Sequence, residues 1–342
     1  MLENRKAVIL NDTSNEFHHG CETVISNIKS LLRKNGIDTI GTNYTGVNWK
    51  TNTAFLESVS KVDIVLVNGE GTLHHAQQRA KELIVIGKYV KEKFKIPVVL
   101  INSTYQENGT EIAEYLRYFD LIYVRETLSQ EDIKKYGIDS RVVPDMTFYS
   151  KYDLSGKKEN GKTGYTDSVY QKTSVLLYEK CMESKSVYMP ALTNIKLKTT
   201  DLITFLKVVK FHVFRAVNFV FWKLGLKISY HALRQFYFTK DYNRYIDKIA
   251  KLNFIVTGRY HSLCFTLKTL TPFVAIKSNS HKIEGMLDDI GIGDTRIKEI
   301  EKEKVFDVVK FEDEERLKIK EYIDSAPIKI ENMFKEIKNL LR

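Results

Sequence analysis

Short apolar runs, each followed by a polar or glycine-bearing loop and then by a segment of helical period, recur along most of this chain, and few architectures accept that alternation. Residues 6–10 read as a buried strand, 11–15 as a polar turn, and Ile25, Ile28, Leu31 and Leu32 mark an amphipathic helix that Gly36 ends. The unit repeats: a strand at 62–67, a loop around Gly69 and Gly71, a helix over 80–94, then a strand at 98–102 opened by Pro97. A strand at 121–124, a helix over 129–136 stopped by Gly137 and a strand at 141–143 complete this half. Apolar strands joined through helices predict a parallel sheet covered on both faces. Residues 151–168 carry Gly156, Gly161 and Gly164 among lysines and other polar residues, so they read as an exposed linker. The chain of 342 residues is therefore expected to form an N-terminal domain over 1–150 and a C-terminal domain over 151–342. Strands of the second are expected at 174–178, 186–189, 254–257 and 273–276, and a charged helix over 313–342.

Lys and Arg number 53 against 43 Asp and Glu, a formal charge of +10, which favours anionic partners. RNA-binding aromatic signatures are absent, so no nucleic acid is expected. Residues 7–10 are too short an apolar stretch for a signal-peptide core, and no uninterrupted apolar run of ~20 residues could span a bilayer. Cys21, Cys181 and Cys264 lie far apart, as reduced thiols of a cytoplasmic protein do. One stretch, 201–244, breaks the α/β pattern. Within it, over 205–227, Val209, Val213, Val217, Val220 and Leu224 follow helical spacing on one side, with Lys207, Phe211, Arg215, Asn218 and Trp222 on the other. Two readings stay open: a helix lying at a membrane interface on the inner face of the cytoplasmic membrane, and an insertion packed on its own domain.

Ligands of α/β proteins bind at the C-terminal ends of parallel strands, which singles out four loops. The first runs from Asn11 through His18, His19 and Gly20 into a helix whose N-terminus offers N–H groups to an anion. The second is Asn68-Gly69-Glu70-Gly71-Thr72-Leu73-His74-His75, where glycine lets backbone approach a ligand. The third begins at Arg125, which directly follows a buried strand and so requires a partner, either an anionic substrate or a structural carboxylate such as Asp145. The fourth, Gly258-Arg259-Tyr260-His261-Ser262, sets an arginine and a histidine at a helix start, suited to a carboxylate or phosphate and to proton transfer. The pairs His18-His19 and His74-His75 lack supporting ligands at metal spacing, and no metal is expected.

In this order the loops resemble the polysaccharide pyruvyl transferase family over nearly the whole chain. The resemblance rests on the strand ending in Asn68-Gly69-Glu70-Gly71, on Val124 to Ser129 with the later Asp145 to Phe148, on Arg259 to Ser262, on the Pro272-containing strand, and on Ser280-His281-Lys282 before Leu287. Two loops depart from the family pattern: three successive glycines are usual where Gly69-Glu70-Gly71 stands, and Gly-Asp where His18-His19-Gly20-Cys21 stands. The resemblance implies two Rossmann-like domains with parallel sheets facing across a cleft, similar to GT-B glycosyltransferases. It implies phosphoenolpyruvate as donor substrate, no bound cofactor, and a sugar of a bacterial cell-surface polysaccharide or its lipid-linked precursor as acceptor. On this reading His261, Glu70 and His18 are the catalytic candidates. Arg259, Arg125, Gly69, Gly71, Lys282, Ser262 and Asn11 are the binding candidates. The alternative is a GT-B glycosyltransferase that takes a nucleotide sugar.

Overall fold

The computed structural model describes residues 4–194, 202–226, 230, 234–303 and 305–341. Two sheets form, and every strand pairing in both is parallel. The first contains β1 (Arg5–Asp12), β2 (Ile37–Tyr44), β3 (Ile64–His74), β4 (Val98–Gln106), β5 (Leu121–Val124) and β6 (Arg141–Val142), in the order β2-β1-β3-β4-β5-β6. The second contains β7 (Thr163–Ser168), β8 (Val187–Tyr188), β9 (Phe254–Gly258), β10 (Phe273–Ile276) and β11 (Ile297–Lys298), in the order β11-β10-β9-β7-β8. The order reverses between β1 and β3 in one sheet and between β7 and β9 in the other. At such points successive crossovers leave on opposite faces and open a crevice at the strand ends. The fold is GT-B-like, as the alternation of strands and helices and the family resemblance predict.

Three local expectations are corrected. Residues 163–168 are not linker but β7, buried beside β9; the sequence Thr-Gly-Tyr-Thr-Asp-Ser hides a core strand because Gly164 leaves room for Leu252, whose Cδ1 a Cβ would meet at 2.3 Å. Residues 174–178 belong to the helix Gln171–Glu183, whose buried residues Ser174, Leu177 and Cys181 recur at helical spacing. The expected helix over 80–94 is two, Gln78–Ile84 and Ile86–Lys93.

One continuous core joins the halves. It runs from Ile9 and Ile28 through Leu263 and Phe265 to Ile330, Phe334 and Ile337. The last three belong to the helix Asp313–Asn339, which follows the second sheet in sequence yet returns to the helix His19–Lys34, where Glu331 pairs with Lys34 at 2.8 Å. The helices His19–Lys34 and Tyr260–Lys268 pack together through the same core, bringing their N-termini to face each other.

In the atypical stretch a helix spans Leu202–Lys223. Val209, Val213, Val217 and Val220 are exposed on it, as is Leu224 just past its end, whereas Asn218 is buried and donates to the Phe214 carbonyl at 2.7 Å. Arg215 is exposed. The side chains of Lys207, Phe211 and Trp222 lie outside the described residues, as do residues 195–201 and 227–229.

Candidate active site

The loops after β1, β5 and β9 and the C-terminal part of β3 converge on one cleft, a cavity of about 240 Å³ lined by Thr13, His18, Cys21, Glu70, Gly71, Arg125, Arg259, His261, Asn279 and Lys282 among others. The helices His19–Lys34 and Tyr260–Lys268 meet so closely that a Cβ on Gly20 would lie 2.1 Å from His261 Cγ. Glycine at position 20 therefore permits the approach that brings the first and fourth loops together. A larger depression of about 420 Å³ lies at the opposite, N-terminal ends of β5 and β6 and does not include these groups.

Each arginine of the cleft is clamped by a buried carboxylate. Arg125, 1% exposed, donates through Nη1 to Asp145 Oδ2 at 3.0 Å and through Nη2 to Thr104 Oγ1 at 2.6 Å, and its guanidinium stacks 4.4 Å above the Tyr260 ring. Arg259 donates through Nε (3.0 Å) and Nη2 (2.6 Å) to Asp167 Oδ2. These contacts fix both guanidinium planes before any ligand arrives. Burial alone would raise the Asp145 acid, but the charges of His261 and Arg125 and the Thr147 N–H overcome it and hold the carboxyl well below the usual carboxylate range.

His261 Nε2 lies 3.7 Å from Asp145 Oδ2, too far for a hydrogen bond, and this buried nitrogen has no hydrogen-bond partner among the described residues. His18 caps its helix by accepting the Gly20 N–H on Nδ1 at 3.1 Å. Burial, with the nearby His261 and Arg259, pushes its pKa well below the usual value. It is therefore a neutral imidazole with the proton on Nε2, a donor rather than a base. Lys282 is buried beside both guanidiniums and donates to Asn279 Oδ1 at 2.6 Å. Burial first, then Arg125 and Arg259, pull its pKa from 10.5 to about 7.

Glu70 faces this basic wall. Its φ of +41° is a left-handed conformation that favours glycine, which accounts physically for a glycine being usual there. The strained residue is held through its carboxylate: Thr13 Oγ1 and Asn68 Nδ2 donate to Oε1, the latter at 3.2 Å, and Cys21 Sγ to Oε2 at 3.5 Å. Burial next to Glu70 drives the Cys21 thiol pKa well up, so the sulfur is protonated and can donate.

Seven of the residues singled out from the sequence therefore line the cleft: His18, Glu70, Gly71, Arg125, Arg259, His261 and Lys282. Three do not. A Cβ on Gly69 would strike Ser103 Oγ at 2.4 Å, so this glycine allows strands to pack. Ser262 is buried against Tyr245, 2.9 Å between hydroxyls. Asn11, also left-handed at φ +66°, ties β1 to β3 by donating to the Asn68 carbonyl at 2.7 Å. His19 stacks on Tyr245 with ring centroids 4.3 Å apart, away from the cavity. Nothing in the sequence marks Asp167, Cys21 or Asn279 as site residues; Asp167 lies in the stretch that reads as linker, and only the pairing of β7 with β9 brings it to Arg259. Ligand atoms of His18, Cys21 and His261 lie within 4.8 Å of one another, a grouping that could hold a metal ion.

A family model described as polysaccharide pyruvyl transferase matches residues 19–280. No curated protein matches the chain by sequence. Among solved structures, S. aureus MnaA in its UDP co-structure is similar at 10% identity and a TM-score of 0.50, over 94% of this chain and 87% of that one. A UDP-GlcNAc 2-epimerase from Neisseria meningitidis bound to UDP-GlcNAc is similar at 10% identity and a TM-score of 0.48, over 98% and 99% of the two chains. At 10% identity the likeness to the S. aureus structure speaks for the fold alone.

Proposed function

Because the chain belongs to the polysaccharide pyruvyl transferase family and is thus a transferase, we propose that it moves the pyruvyl group of phosphoenolpyruvate onto two hydroxyls of a surface-glycan sugar or its lipid-linked precursor. The observation that carries this reading is the convergence of Arg125, Arg259, His261 and Lys282 on one small cavity opposite Glu70. A carboxylate and a phosphate on a three-carbon skeleton need two cationic anchors a short distance apart, and the clamped guanidiniums with Lys282 supply them. The cavity, about 240 Å³, is below the roughly 300 Å³ at which pockets for drug-sized ligands begin, which suits so small a donor.

The reaction divides into balanced steps. A proton is added to the methylene carbon, and the adjacent carbon becomes an oxocarbenium centre. The first acceptor hydroxyl attacks it and gives up its proton, the carbon–oxygen bond to phosphate breaks, and inorganic phosphate leaves. The second hydroxyl then attacks the regenerated oxocarbenium, loses its proton and closes the ketal. Of the two hydroxyl protons, one balances the new methyl group and the other leaves with phosphate. Glu70, held as a carboxylate acceptor by three donors, is suited to take a hydroxyl proton. His261, with its free nitrogen, and Lys282, poised between its protonation states near neutrality, are suited to the donor side.

The test is thermal unfolding with phosphoenolpyruvate and, separately, with nucleotide sugars, on the native protein and on Arg259→Lys. Phosphoenolpyruvate should raise the Tm by mass action. The lysine variant should lose that rise because a single ammonium cannot reproduce the two-nitrogen grip on Asp167. Stabilisation by a nucleotide sugar and none by phosphoenolpyruvate would refute the proposal and assign glycosyl transfer.

A further inference from the structure

Apart from the cleft, the helix Leu202–Lys223 is the most unusual surface of the molecule. Phe205, Leu206, Val213, Phe214 and Val220 are each more than half exposed. With successive residues 100° apart, Phe205, Val209, Val220, Val213, Leu206 and Val217 fall on an arc of about 120°, and the turn that follows adds the exposed Leu224 and Leu226. Water-facing surfaces of soluble proteins rarely carry so continuous an apolar stripe. The surrounding charge has a single sign: between Leu202 and Lys240 there are seven Lys or Arg and no Asp or Glu.

We propose that this helix docks the protein on a bilayer containing anionic lipid, lying in the interface with its apolar arc in the acyl boundary and its basic residues at the headgroups. Among the described residues no helix is long and apolar enough to cross a membrane, so the helix lies on the bilayer rather than spanning it. Charge complementarity selects this occupant over a second copy of the chain, because a symmetric contact through the same stripe would set like charges against each other. The attachment points of the helix give the docking a purpose. On its N-terminal side, Ala191 N–H donates to Asp167, the clamp of Arg259, at 2.9 Å, and Leu192 bridges to His18. Beyond its C-terminal end, Tyr230 accepts from the Tyr188 hydroxyl at 3.1 Å. The described residues that flank the helix thus meet groups of the cleft, and docking would keep the cleft near the lipid surface. Lipid-linkage of the acceptor rests on the function proposed above; docking itself does not.

Sedimentation of the full chain with vesicles tests this. The protein should bind phosphatidylglycerol–phosphatidylcholine vesicles at low salt and bind pure phosphatidylcholine much less. Charge reversal at Lys210, Arg215 and Lys223, all exposed, should weaken the anionic partition by at least about a hundredfold, at roughly 1 kcal/mol for each basic residue. The variant Val213→Ser/Val217→Ser/Val220→Ser should lose binding with an unchanged Tm. Its response to phosphoenolpyruvate, read separately by melting, keeps failure of docking distinct from failure of the proposed reaction. Absence of binding by the native protein, or native-like binding by both variants, would overturn the proposal. So would a concentration-dependent dimer that the serine variant dissolves while vesicles are ignored, which would assign the stripe to a second copy.

Discussion

Replacing Lys282 by methionine should make the protein more stable and less able to bind its donor. The ammonium is buried beside two guanidiniums, and its pKa falls from 10.5 to about 7. At about 1.4 kcal/mol for each pH unit, that fall represents roughly 5 kcal/mol working against the folded state wherever both states are protonated. Methionine keeps most of the volume and removes the charge. It also removes the bond to Asn279 at 2.6 Å, a loss of roughly 2 kcal/mol for a charged hydrogen bond. The net gain is about 3 kcal/mol, which raises the Tm by roughly 6 °C at about 2 °C per kcal/mol. The pH dependence has a definite sign. A lysine with a depressed folded pKa destabilises fully below that value, and the cost fades as pH rises through the folded pKa toward the unfolded one. The variant's advantage should therefore be largest below pH 7 and gone by about pH 9, above which the lost hydrogen bond leaves the native protein the more stable. Differential scanning calorimetry at pH 6.5 and 9.5, with and without phosphoenolpyruvate, measures both effects. A variant that melts below the native protein at pH 6.5, or one whose advantage does not shrink at 9.5, would refute the electrostatic reasoning. Retention of the full phosphoenolpyruvate shift would remove Lys282 from the donor site.

Gly20→Ala places a methyl group 2.1 Å from the His261 ring and should cost about 2 kcal/mol by overpacking, together with most of the transferase activity; a phosphate-release assay beside urea unfolding reads both. The two glycines flanking Glu70 should separate: Gly69→Ala meets Ser103 and lowers the Tm, whereas at Gly71 the nearest atom is the flexible Lys282 Nζ at 3.3 Å, so Gly71→Ala should melt normally yet bind donor more weakly in calorimetric titration. Asp145→Asn leaves Arg125 buried without a charged partner and should cost roughly 3 kcal/mol at pH 7. Because the folded carboxyl is held below its ordinary 3.8, that contribution is present above 3.8 and is lost as pH falls through the folded value. Denaturation curves of the two proteins should therefore stay apart at pH 5 and approach each other only in stronger acid.

The class of fold is legible in the chain alone, because uniformly apolar strands joined through helices can be buried only in a parallel, doubly covered sheet. The chain also marks most of the cleft, because ligands bind where such strands end and the residues there are chemically conspicuous: Arg125, Glu70, Arg259, His261. Hydrophobic periodicity failed where a buried strand was polar or short. Thr163–Ser168 lies within a sheet but reads as linker, which hides Asp167. Tertiary structure alone decided which partners those residues meet. Arg259 and Asp167 are 92 positions apart, and Gly20 and His261 are brought together only by two helices packing across the core. Gly69 in β3, Asn11 in β1 and Ser262 in the helix Tyr260–Lys268 neighbour cleft residues in sequence but face inward, onto Ser103, Asn68 and Tyr245. Local sequence fixes neither that direction nor the charge state of Lys282, since burial and neighbouring charge are properties of the assembled fold.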